Sequence, residues 1–136
     1  PVVAVADEQR VEVLGRAEGP SLVHCVAGKD RTGFAVALAQ HVLGVDRDAI
    51  LEDYVLTNRA GNIEARIAAG AEQIRSKYGA IDEQTIRTLM GVDADYLLTA
   101  LSAVEARHGT VDAYLDAVIG LDEPARAALR AHYLEG

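Results

Sequence analysis

Cys25 and Arg31 are the two side chains of this 136-residue chain whose types and spacing point most directly to chemistry. Five residues separate them, and the window around them, Leu22 to Gly33, reads LVHCVAGKDRTG. A cysteine becomes a strong nucleophile as its thiolate. The free thiol has a pKa of about 8.5, and bringing it to roughly 5 takes on the order of 5 kcal/mol of selective thiolate stabilisation. A helix N-terminus supplies up to ~2 kcal/mol of this. A cation about 4 Å away, at an effective dielectric of about 20, is worth about 4 kcal/mol more, and Arg31 is the expected source. Its planar fork also holds two oxygens of one phosphate, which a lysine cannot do. A thiolate and a phosphate clamp in one loop imply attack at phosphorus and a covalent phosphocysteine intermediate.

Such groups need a rigid mount. Ser21-Leu22-Val23 leads in like a short buried strand, and the run Phe34 to Leu43 leads out like a helix. A strand, a turn containing Gly28 and a helix start, in that order, make an anion site. The backbone N–H groups of the turn point inward, and the unpaired N–H groups and dipole of the helix add to them.

The string HCVAGKDRTG closely resembles the signature loop of cysteine-dependent tyrosine and dual-specificity phosphatases. Its GKDRTG version is most similar to the bacterial-type tyrosine/serine phosphatases, some of which also act on phosphoinositides. The resemblance implies that Cys25 is the nucleophile and Arg31 the phosphate and transition-state clamp. It makes Val26, Ala27, Gly28, Lys29, Asp30 and Arg31 the phosphate cradle. His24 would hold the loop and help set the Cys25 pKa, Thr32 would offer its hydroxyl to the leaving thiolate, and Gly33 would let the helix start tightly. Lys29 and Asp30 mark the subfamily. Further on, Asp53-Tyr54-Val55-Leu56-Thr57-Asn58 resembles the DYxLTN stretch of the same group, so the likeness runs from about Pro20 to the C-terminus. The implied fold is α/β and phosphotyrosine-phosphatase-like, with this chain as its C-terminal, mostly α-helical part carrying one or two strands.

Length and composition agree with one domain over residues 1–136 and a single core. Half the residues are hydrophobic but only 4% are aromatic, so the core must be built from Ala, Val, Leu and Ile. The net charge of −8 argues against nucleic acid as a partner, so an anionic substrate needs a local positive pocket. One cysteine excludes an internal disulfide. No stretch approaches the ~20 apolar residues of a membrane span, and a soluble chain is expected.

Only twenty-four residues precede Cys25. Pro1 to Ala6 reads as a strand or a helix tail, and Asp7 to Gly19 as a helix stopped by Gly19-Pro20. With at most two strands in view, the expectation is a C-terminal part of a longer protein, or a domain lacking its N-terminal portion. Downstream, six or seven helices follow with marked ends. Asp46 or Asp48, Asp82, Asp93, Thr110 and Asp122 stand as N-caps, and Gly44, Gly79, Gly91, Gly109 and Gly120 as stops. Apolar stripes put Leu38, Tyr54, Ile67, Ala71, Tyr78, Ile86, Leu89, Tyr96, Leu101 and Val118 inward. For Arg59 to Met90 the simpler expectation is completion of the core. The sharper one is a cover over the site mouth, hinged at the Gly61 break.

A phosphatase also needs a general acid for the leaving oxygen, worth typically 10²–10⁴-fold. Asp7 is the only upstream aspartate and reads more simply as a helix cap. The acid is then outside the chain or is Asp30, whose other reading is an ion pair orienting Lys29 or Arg31. No cofactor is implied and no metal-ligand cluster is visible. The substrate is a phosphorylated protein, with phosphotyrosine first and phosphoserine or phosphothreonine admitted by a shallow pocket, and inorganic phosphate is the product. Lys29 would suit a phosphoinositide, the runner-up. A catalytically dead phosphate-binding module is the further alternative, against which the presence of both Cys25 and Arg31 speaks.

Overall fold

The computed structural model describes residues 22–60 and 63–134, so the readings of Pro1 to Ser21 fall outside the described residues. From the loop onward the described chain is helical. α1 (Asp30–Val42) and α2 (Arg47–Val55) come first, and a 3₁₀ turn (Leu56–Asn58) follows. α3 (Ile63–Tyr78) and α4 (Glu83–Met90) form a helical hairpin. α5 (Ala94–His108), α6 (Val111–Tyr114) and α7 (Glu123–Tyr133) complete the order, with a π-helical turn (Leu115–Ile119) extending α6.

The helix starts follow their caps. The Asp46 carboxylate accepts from the N–H groups of Asp48 and Ala49 at 3.1 and 3.2 Å. Asp82 accepts from Thr85 N–H at 2.9 Å, Asp93 from Asp95 N–H at 2.9 Å and Asp122 from Ala125 N–H at 3.0 Å. Thr110 Oγ1 takes Ala113 N–H at 3.0 Å. Each satisfies donors that an α-helix leaves open in its first turn.

The main core is built from α1, α2, α5, α6 and α7. Ala37, Leu38, Val42, Ile50, Tyr54, Leu97, Leu101, Val111, Leu115 and Leu129 are buried together, with Phe34 and Val104 packed against them. Arg126 is buried among these helices, and its guanidinium donates to Leu121 O at 2.7 Å. The α3–α4 hairpin stands apart. It buries Ala71 and Ile86 outside that cluster, and its helices pack chiefly on each other. Gly70 makes room between them, since a Cβ there would lie 2.9 Å from Met90 Cε.

Several expectations need correction. Leu22 and Val23 pair as a strand with no described residue, and Leu22 is exposed rather than buried. A strand is held by a neighbour's ladder of hydrogen bonds, and none of the described residues offers one. The mostly helical character is observed; strands are absent among the described residues. Tyr78, Leu89, Tyr96 and Val118, read as inward, are all exposed. For Tyr78 and Leu89 the cause is the isolation of the hairpin, which has too little partner surface to cover a full apolar stripe. Arg59 to Met90 likewise does not complete the main core.

Candidate active site

The loop Cys25 to Lys29 curls over the N-terminus of α1. Gly28 has φ of +67°, a conformation that side chains with a Cβ rarely adopt. Lys29 is the N-cap of α1 and its side chain makes no cap. Its carbonyl closes the first turn by accepting from Gly33 N–H at 2.7 Å. The Thr32 N–H of the first turn and the loop N–H groups of Lys29 and Gly28 are left to act on Cys25. Partial burial, the largest influence, pushes the thiol up. The Thr32 hydroxyl and the backbone N–H groups of Thr32, Lys29 and Gly28 together outweigh it, and bring Cys25 from an ordinary 9.0 down to about 6. At that value roughly nine-tenths of the sulfur is thiolate at pH 7.

The leading stabilising contributions thus come from a hydroxyl and from amide dipoles rather than from Arg31 or His24. The Thr32 Oγ1 atom is buried and has no hydrogen-bond partner, so no other group competes for the hydroxyl that favours the Cys25 thiolate.

The other expected residues fall as follows. Arg31 is exposed and makes no hydrogen bond or ion pair with any described residue, so its fork is open to a ligand. His24 is exposed and makes no hydrogen bond within the described chain. Val26 and Ala27 are exposed on the loop. Asp30, the first residue of α1, lies 3.6 Å from the Lys29 ammonium and keeps an exposed side chain. Lys29 divides its roles. Its N–H serves the sulfur, but its ammonium donates to Leu89 O and Gly91 O, both at 2.8 Å, at the C-terminal end of α4. The charge that the sequence assigned to a ligand is committed to main-chain carbonyls.

Residues that the sequence did not assign to the site also meet it. Arg66 of α3 donates from Nη2 to Ala27 O at 2.9 Å, so the hairpin flanks the loop. The Tyr54 ring of α2 lies on Gly33, where a Cβ would come within 2.7 Å of Cδ2 and nearer still to Cε2. Burial and then the charge of Asp30 push the Tyr54 phenol up. Asn58 takes Val92 N–H on Oδ1 at 2.9 Å and gives Nδ2–H to Val92 O at 2.8 Å. Tyr54 and Asn58 both belong to the DYVLTN string, which was the available signal. A cavity of about 200 Å³, bounded by Asn58, Arg66, Ile67, Met90 and Gly91, adjoins these contacts. A larger groove of about 610 Å³, along Leu51, Val55, Leu56, Arg59 and Ala94, shares no residue with the loop.

The loop thus holds a partly buried thiol whose ionised form is favoured by loop N–H groups, and within the same loop a guanidinium that no described residue engages. Residues 5–135 match the model of the tyrosine phosphatase family, and the chain belongs to that family. It is 36% identical over 116 residues to a triple specificity protein phosphatase of Mycobacterium tuberculosis, a match covering 78% of this chain and 41% of that protein. It is 39% identical over 115 residues to a putative tyrosine-protein phosphatase of Cupriavidus necator, covering 85% of this chain and 40% of that protein. The chain spans about two-fifths of the length of these curated relatives.

Proposed function

We propose that this chain carries the catalytic apparatus of a protein-tyrosine phosphatase that cleaves phosphate monoesters through a phosphocysteine intermediate. One observation carries the reading: the Cys25 thiol is brought to about 6 by loop N–H groups and Thr32 at a helix N-terminus, in a loop whose Arg31 is exposed and engaged by no described residue. On this reading residues 1–136 form one phosphatase domain of α/β type, whose helical part is the described chain.

The Cys25 thiolate attacks phosphorus in line with the leaving oxygen. The S–P bond forms as the P–O bond breaks, and the alkoxide or phenoxide takes a proton from a carboxylic acid. The transferring group is loosely bonded at the transition state, so charge stabilisation dominates. Arg31 holds two equatorial oxygens, and the loop N–H groups of Val26 to Arg31 hold the rest. Water then attacks the phosphocysteine, the thiolate departs toward the Thr32 hydroxyl, and inorganic phosphate leaves.

Asp30 is the carboxylate of the loop itself and the acid proposed among the described residues. Its 3.6 Å pairing with Lys29 supports the other role, that of an orienting ion pair. The pH–rate profile of Asp30→Asn separates them: an unchanged basic limb removes Asp30 from proton transfer.

Phosphotyrosine in a protein is the first substrate, and the family description supports it. Extension to phosphoserine or phosphothreonine is supported by the triple-specificity name of the Mycobacterium relative. The phosphoinositide alternative loses its sequence argument, because the Lys29 ammonium is occupied by Leu89 O and Gly91 O. Hydrolysis of p-nitrophenyl phosphate, abolished by Cys25→Ser, with a phosphorylated Cys25 peptide recovered after rapid acid quench, is the expected result. Turnover that survives Cys25→Ser would overturn the proposal.

A further inference from the structure

Lys29 of the loop and Asn58 of the DYVLTN string lie far apart in sequence, yet both end on the segment that closes α4. We propose that Asn58 is a positioning residue for the reaction: by clamping the backbone at Val92 it fixes the carbonyls that hold the Lys29 ammonium, and through Lys29 the loop around Cys25. The inference rests on the reading of Cys25 as the nucleophile and adds to it a residue that touches neither sulfur nor substrate.

The geometry is a chain of short contacts. Asn58 engages both polar atoms of the Val92 backbone, Oδ1 with N–H at 2.9 Å and Nδ2 with the carbonyl at 2.8 Å. Two bonds from one planar amide fix direction as well as distance. Gly91 precedes Val92, and a Cβ there would lie 3.0 Å from Asn58 Oδ1 and 3.1 Å from Arg87 O, so the two surfaces are in close contact. The carbonyl of Gly91, with that of Leu89, receives the Lys29 ammonium at 2.8 Å.

The Lys29 side chain is only 13% exposed, and its nearest carboxylate, Asp30, is 3.6 Å away. A covered ammonium must have its charge answered, and the open carbonyls at the C-terminal end of α4 do so. The backbone of Lys29 then sits at the N-cap of α1 with its N–H serving the sulfur. A lysine that only contacted substrate would not need this socket. An asparagine that only capped Val92 would not need to stand against the residue holding that lysine.

The test reads Cys25 directly and needs no phosphate ester. Alkylation by iodoacetamide is followed against pH in the intact protein, with the Cys25 peptide quantified by mass spectrometry. The charged groups at the loop are His24, Lys29, Asp30 and Arg31, with Arg66 of α3 reaching Ala27 O and Tyr54 of α2 packed behind Gly33. Profiles are repeated in a His24→Gln background so that the imidazole cannot imitate a shift.

Lys29→Met and Asn58→Ala are each expected to raise the alkylation midpoint by about one pH unit, about tenfold less thiolate at pH 5. The double variant is expected to move no further than the larger single one, because the two residues act in series. Should Asn58→Ala fail to fold, Asn58→Asp, which keeps the acceptor and loses the donor, is read instead and shifts the same way. Midpoints that stay in place in folded variants, or shifts that add, overturn the proposal. Loss of turnover in Cys25→Ser tests the phosphatase reading separately.

Discussion

Replacing Gly33 by alanine sets two physical effects against each other. Gly33 lies in the first turn of α1, where alanine is favoured over glycine by up to about 1 kcal/mol. Propensity alone therefore makes the variant more stable. The new methyl would stand 2.7 Å from Tyr54 Cδ2 and nearer still to Cε2, against the ~3.5–4.0 Å of a comfortable carbon contact. Relief needs a shift of about 1 Å by the ring or the helix start. The ring cannot swing out easily, because Tyr54 is buried in the main core. Overpacking of this kind typically costs about 1–3 kcal/mol, so the net effect is a loss of up to about 2 kcal/mol. For a chain of this size that lowers Tm by up to roughly 8 °C.

The same shift carries into the site, since Gly33 N–H bonds to Lys29 O at 2.7 Å and Thr32 is its neighbour. Cys25 alkylation at pH 6 should fall with Tm, and adding Tyr54→Leu should recover part of both. Calorimetry and alkylation kinetics on the single and double variants are the assays. A Gly33→Ala protein that melts higher and alkylates at the original rate would refute the packing argument.

Three other outcomes are expected. The Cys25 pKa is lowered on folding, from 9.0 to about 6, so the unfolded chain binds more protons between these values. The thiolate contribution to stability is therefore complete above about pH 9 and lost as pH falls through about 6. Stability measured by urea unfolding should rise from pH 6 to 9 relative to Cys25→Ser, and the difference should be flat below 6. Asp46→Ala removes the acceptor of two N–H groups at the start of α2 and should cost about 1 kcal/mol, seen as a lower urea midpoint with an unchanged m-value. Ile86→Ala empties the small core of the α3–α4 hairpin, a loss of about 2–5 kcal/mol locally. Hydrogen exchange should speed up in α3 and α4 and stay unchanged in α5.

Local signals were the legible part of the fold. Asp82, Asp93, Thr110 and Asp122 cap the helices they precede because a cap acts within three residues of itself. The surroundings of Cys25 were legible for a similar reason, since Cys25, Gly28 and Thr32 lie within eight residues. Long-range partners were not legible. The lysine type of position 29 suggested a ligand, but the carbonyls it bonds lie sixty residues on. Tyr54 and Asn58 were visible as a string without a purpose until Gly33 and Val92 were found beside them. The outward turn of Tyr78 and Leu89 follows from a hairpin with its own core, which periodicity cannot report.

A nucleophile made acidic by amide dipoles behaves differently from one made acidic by ionised neighbours. Dissolved ions gather round exposed side-chain charges and weaken them, but they do not reach donors turned inward on a sulfur. Added salt should leave the ionisation of Cys25 where it is. The same salt would soften the repulsion between a protein of charge −8 and a doubly negative phosphate ester. Ionic strength would then govern how often substrate arrives, and hardly at all how ready the sulfur is when it does.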